Sequence, residues 1–148
     1  MSLSLTAGRE EVIRRLKDDS DLSSEIKKWF ELAGGRQERL EPTPAICPYA
    51  AIYAGAYGLE RPANAMHKFT YDLRIDFGAH RNLATAEALV LPLIQQVRQW
   101  QKDHLGLASD GLANIQIRSG QLSAMPSKEG KNIIWVASTV VRLTWNLI

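Results

Sequence analysis

A chain of 148 residues with 45% hydrophobic and 23% charged side chains has the make-up of one globular domain, which excludes disorder, collagen-like repeats and long coiled coils. At that size roughly 70% of the unfolded surface is buried on folding, enough for a core without disulfide or metal staples. With 18 basic and 16 acidic residues the net charge is +2, too balanced to draw the chain to nucleic acid or an anionic membrane.

Thr6 is placed to cap a first helix whose Val12, Ile13 and Leu16 share a face. Ser20 or Asp21 restarts a second helix through Leu22, Ile26, Trp29, Phe30 and Leu32. Gly34-Gly35 stops it, since glycine takes the left-handed cap position at little cost. Residues 36–45 are polar and carry Pro42 and Pro44, the composition of a loop or a weak edge strand. From Ile46 to Ala56 the chain is apolar, with aromatic and small side chains; Pro48 has no amide to donate, so it belongs at a strand start or an edge. Gly58 to Ala65, with Pro62 and Asn64, reads as a connection.

Residues 67–77 carry the clearest strand signal. Phe69, Tyr71, Leu73, Ile75 and Phe77 alternate with Lys68, Thr70, Asp72, Arg74 and Asp76, the pattern of a half-buried antiparallel strand. The clearest helix follows: Leu83, Ala86, Leu89, Val90, Leu93, Ile94, Val97 and Trp100 keep helical spacing. Asn82 or Thr85 caps it and Leu105-Gly106 ends it, while Pro92 inside the run kinks it or divides it in two.

Ile115, Ile117 and Leu122 mark the first strand of a closing hairpin that turns through Pro126-Ser-Lys-Glu-Gly130. Asn132 to Ile148 forms its second strand, longer than the usual five or six residues and apolar on both faces. Ile134, Val136 and Val140 therefore need a cover, supplied by the N-terminal helices or by a neighbouring subunit. The expected fold class is α+β, a single domain over residues 1–148: an antiparallel sheet with the long helix packed on one face and short N-terminal helices.

Catalytic motifs are sparse. His67, His80 and His104 are scattered without metal-binding spacing and read as surface or loop residues. Cys47, the lone cysteine, has no disulfide partner, which fits a reducing compartment; as a nucleophile it needs a distant histidine, and a buried inert thiol is the commoner case. Gly55-Ala-Tyr-Gly58 lacks the lysine and helix start of a phosphate loop. Asp72 and Asp76 flank Arg74 on one strand face, the pattern of solvated cross-strand ion pairs. Asp18, Asp19 and Asp21 lie between the first helices, where they cap and complement the helix dipole.

Basic residues fall in small groups diluted by acids, not in the continuous stripe of a nucleic-acid reader. Were there a channel or DNA-facing contact, Lys128 and Lys131 at the hairpin tip would make it. Trp29, Trp100, Trp135 and Trp145 are core candidates, and tryptophan also anchors interfaces. Trp145, with Ile134, Val136 and Val140, is the expected subunit contact. Met-Ser-Leu-Ser-Leu-Thr lacks the regions of a signal peptide, and no stretch is apolar enough to span a membrane.

The opening helix with Leu16-Lys17-Asp18, the strand start at Pro48-Tyr49, the alternating strand Tyr71–Phe77, the helix Ala84–Trp100 and the closing hairpin come in a familiar order. It resembles that of the small tail-completion and tail-terminator proteins of tailed bacteriophages and their prophage relatives, from Val12 to Leu147. The two-helix opening, Thr6 to Leu32, is longer than in that family. The resemblance implies a non-enzymatic structural protein with no cofactor or metal. It further implies a ring homo-oligomer, often a hexamer, that meets other tail or neck proteins in the bacterial cytoplasm or the virion. Two other classes stay open: a small-molecule-binding or enzymatic α+β domain using the sheet face away from the helix, and a nucleic-acid-binding accessory protein. Converging polar groups with shifted pKa values in a deep pocket mark the first, and a steep salt dependence of DNA retention the second.

Overall fold

The computed structural model describes residues 5–32, 40–63, 66–126 and 132–147. In chain order these form α1 (Leu5–Asp18), α2 (Ser20–Glu25), β1 (Lys28–Leu32), a 3-10 turn (Pro44–Ile46), β2 (Tyr49–Ala63), β3 (Met66–His80), α3 (Leu83–Asp103), two more 3-10 turns, β4 (Leu112–Pro126) and β5 (Ile133–Leu147). The strands make one sheet in the order β1-β2-β3-β5-β4, antiparallel except where β1 runs parallel to β2. This is the α+β architecture expected, with the long helix and the short N-terminal helices on one face of the sheet.

The alternation in β3 dictates that layering. Tyr71, Leu73, Ile75 and Phe77 point into the main core with Val141, Leu143 and Trp145 of β5, and there they meet Leu89, Leu93, Val97 and Trp100 of α3. At about 25 cal/mol per Å2, each of these large side chains contributes roughly 1.5–3 kcal/mol when taken out of water. α1 closes the layer with Val12, Ile13 and Leu16. It approaches closely because Gly8 lies against Leu143 and Trp145, where an added Cβ would stand 3.0–3.1 Å from their atoms. Polar ties fix the helices to one another: Arg15 donates to Asp103 at 2.6 Å, and Gln96 donates to Asp19 at 2.8 Å. Asp19 also caps α2, accepting the amides of Asp21 and Leu22, the role expected of that acidic cluster.

Three local expectations are corrected, and of the two alternatives left open at Pro92 the division into two helices is excluded. The second helix ends at Glu25, because Ile26 turns to extended backbone; Trp29, Phe30 and Leu32 lie in β1. As a strand this segment uses both faces, with Trp29 against the main core and Phe30 and Leu32 against a second cluster. The run from Gly58 to Ala63 belongs to β2, whose irregularities at Ala54/Tyr57 and Glu60/Ala63 absorb residues that a regular ladder rejects. α3 passes through Pro92 as one helix, capped by Asn82, which accepts the Thr85 amide. Ile134 and Val136 take their cover from another part of the same chain and not from the N-terminal helices: Tyr49, Tyr53, Leu40, Ile46 and Cys47 pack with them. Gly34-Gly35 and the tip of the closing hairpin lie outside the described residues.

Candidate functional site

The sheet face away from the helices has an apolar end and a polar middle. At the apolar end the ring of Tyr49 lies across Gly78, beside Ile134 and Val136. In the middle, β2, β3 and β5 bring Tyr53, Arg74, Asp76 and Ser138 to the wall of a cleft of about 410 Å3, with Leu40, Pro42 and Met125 at its rim. Asp76 is 8% exposed, and its carboxylate is engaged on two sides. It accepts the Ser138 hydroxyl and pairs with Arg74 Nε at 3.3 Å. The Arg74 guanidinium stacks 3.9 Å from the centre of the Tyr53 ring. One row along, Arg142 holds Asp72 in a two-point pair at 2.8 and 3.1 Å. Asp72 thus makes the cross-strand ion pair expected of it, whereas Asp76 is buried and not solvated.

Burial raises the Asp76 pKa above its ordinary 3.8, against the opposing pull of Ser138 and Arg74. The folded chain therefore holds that proton more tightly than the unfolded chain does. The resulting stability is present below pH 3.8 and is lost as pH rises through the folded value. Asp76→Asn keeps an acceptor for Ser138 and removes the charge. Urea unfolding across pH should find the variant gaining on the parent as pH rises from strongly acidic to neutral. A parent that gains on the variant over that range would show that pairing outweighs burial.

The second feature is the outer edge of β4. From Arg118 to Gly120 and on to Pro126 the strand is exposed along almost its whole length, with β5 as its partner on the inner side. Proteins guard such edges with charge, proline or brevity. β4 is 15 residues long, and its single charge is Arg118. Leu122 is 45% exposed and Ile133 of β5 53%, with Ile117 and Met125 also open. Between β4 and α3 runs a groove of about 320 Å3 lined by Val90, Glu87, Gly120, Leu122, Ala137 and Thr139.

The residues singled out from the sequence are scattered by the fold. Trp145 is 1% exposed and packs in the main core under α1, so the expectation that it meets another subunit is corrected. Ile134 and Val136 are buried within the chain's own second cluster, and that expectation is corrected with it; Val140 is half-buried. Lys128 and Lys131 lie outside the described residues. The Cys47 thiol is buried and pushed up to about 11 by burial, which makes it a poor nucleophile. His104 sits at the left-handed C-cap of α3 with its Nδ1 3.0 Å from the Leu112 carbonyl oxygen. Among the described residues no group of three His, Cys, Asp or Glu side chains is placed to hold a metal, and no helix is long and apolar enough to cross a membrane. The β4 edge was missed, although its near-absence of charge stands in the sequence.

No family model matches the chain, and no curated protein matches it. Among solved structures it is similar to a chain in the virion of a native gene transfer agent (GTA) particle, at 14% sequence identity and a TM-score of 0.47, over 98% of this chain and 100% of that one.

Proposed function

We propose that this chain is a non-enzymatic structural subunit, resembling a tail-completion or terminator protein of a phage-like particle, that self-associates into a ring through its sheet edge. The observation that carries the reading is β4: a long, nearly uncharged edge strand with exposed Ile117 and Leu122 on the face of an apolar groove. An edge of that kind is a template for another extended chain. The phage assignment itself rests on the order of elements seen in the sequence. In such a particle the subunit would meet other tail or neck proteins, and it would do so in the host cytoplasm or the virion.

A ligand-binding reading has the cleft at Asp76 in its favour. The polar groups there are already engaged with one another, Ser138 and Arg74 with Asp76 and Arg74 with Tyr53, and such mutual satisfaction favours a structural role. Light scattering coupled to size exclusion tests assembly. The expected mass is a multiple of the 16.5 kDa chain, with closed rings in negative-stain electron microscopy. A monomer mass throughout the micromolar range overturns the reading.

A further inference from the structure

Among the described residues the outer edge of β4 has no strand beside it, and it has a matching surface on the other side of the same sheet. β1 pairs with β2 only from Tyr49 to Tyr53. From Ala54 to Glu60 the outer edge of β2 therefore has no strand beside it among the described residues, and Glu60 is the only charge in that run. Tyr57 and Leu59 there are 73% and 59% exposed. Their register with Tyr71 and Phe69 puts both on the helix-side face, and the Tyr57 ring is already held in place, stacked on Phe69 at 6.1 Å between centroids. The groove beside β4 opens on that same face, since Leu122 and Gly120 pair with Ala137 and Thr139. Its floor at Gly120 is open: an added Cβ would meet nothing nearer than 3.9 Å. Three reversals of direction separate β2 from β4, so the two strands run antiparallel.

We propose that the occupant of the β4 edge is a second copy of this chain, whose distal β2 pairs antiparallel with β4 and seats Tyr57 and Leu59 in the groove over Gly120. The inference rests on the assembly reading above and supplies its geometry. Each edge carries a single charge in the stretch concerned, Ile117 and Leu122 of one lie on the same face as Tyr57 and Leu59 of the other, and the knobs of one answer the hollow of the other. The contact joins two different surfaces, so a pair of subunits keeps one β2 edge and one β4 edge for further partners. Head-to-tail contacts of this kind close into rings where the rotation permits. Pairing of β4 with β4 would instead leave Tyr57 and Leu59 in water.

Two variants separate these arrangements. Gly120→Lys with Leu122→Lys blocks β4, and Tyr57→Lys with Leu59→Lys blocks distal β2; like charges on both prevent a false attraction between the blocked edges. Each variant alone is expected to need a concentration at least about 100-fold higher than the parent to assemble. An equimolar mixture should form a species of two chains and nothing larger, because one intact β2 edge finds one intact β4 edge. Circular dichroism and urea midpoints check that each is folded; if the β4 variant is not, Ser119→Lys with Gln121→Lys charges the same edge from the other face. A β2-blocked variant that assembles as the parent does, or a mixture of folded variants that stays monomeric while the parent assembles, overturns the proposed contact and leaves the assembly reading standing. A parent that is itself monomeric removes both.

Discussion

A methyl group placed on Gly78 is expected to lower the stability of this fold by about 3 kcal/mol, the upper end of what overpacking a core costs. An ideal Cβ there would stand 2.0 Å from the Tyr49 ring, with two further ring atoms inside 2.6 Å. Tyr49 is almost fully buried, with Phe30 edge-on at 6.2 Å and Val136 and Ile134 beside it. Tyr49→Ala removes the obstacle and should itself cost about 3–5 kcal/mol, as truncating a buried aromatic does. In that background Gly78→Ala should cost under about 1 kcal/mol, so the two changes couple strongly. Gly120→Ala is the internal control: the site is open, and its stability should stay within about 0.5 kcal/mol of the parent. Urea unfolding of the five proteins at one low concentration measures the cycle. If Gly78→Ala costs the same with and without the Tyr49 ring, steric exclusion is not why glycine stands there.

The same pair explains what the sequence could and could not reveal. Strand β3 and helix α3 were legible because each turns its large apolar side chains to a single layer, so period-two and helical spacing appear undiluted in Phe69 to Phe77 and in Leu83 to Trp100. β1 was not. Lys28 to Leu32 sends Trp29 to one core and Phe30 and Leu32 to another, so its apolar residues are consecutive and pass for a helix continuing from Leu22. The two apolar faces of β5 are plain in its sequence, but their cover is not. Tyr49, Cys47 and Leu40 come from far along the chain, and nothing in β5 says which segment will fold over it. Distal β2 was masked by Gly55, Gly58 and Pro62, residues that suit a turn equally well and are here taken up by irregular pairing on an edge. The candidate surface was missed for a related reason. Exposed apolar residues on β4 have the same spacing as core residues, and only the sheet order, which puts β4 outermost, tells them apart.

Trp145→Ala is the sharpest test of where this molecule keeps its hydrophobic surface. The ring is buried in the main core, edge-on to Phe69 at 6.4 Å and against Gly8 of α1. Its truncation should cost about 3–5 kcal/mol, a large part of the 5–15 kcal/mol that holds a domain together. The loss should be the same at every protein concentration at which the chain is monomeric, because the cavity opens inside one subunit. A tryptophan whose role was to meet another chain would behave in the opposite way: the dilute protein would unfold as the parent does, and the concentration dependence of its stability would disappear. Tyr57→Ala supplies the contrast within the same molecule. Most of that ring is already in water, so dilute stability should move little while assembly weakens. Trp145, which looks like an interface anchor in the sequence, is thus expected to act in the core, and Tyr57, which does not, at the interface. A Trp145→Ala protein that unfolds like its parent when dilute would place the ring outside the core.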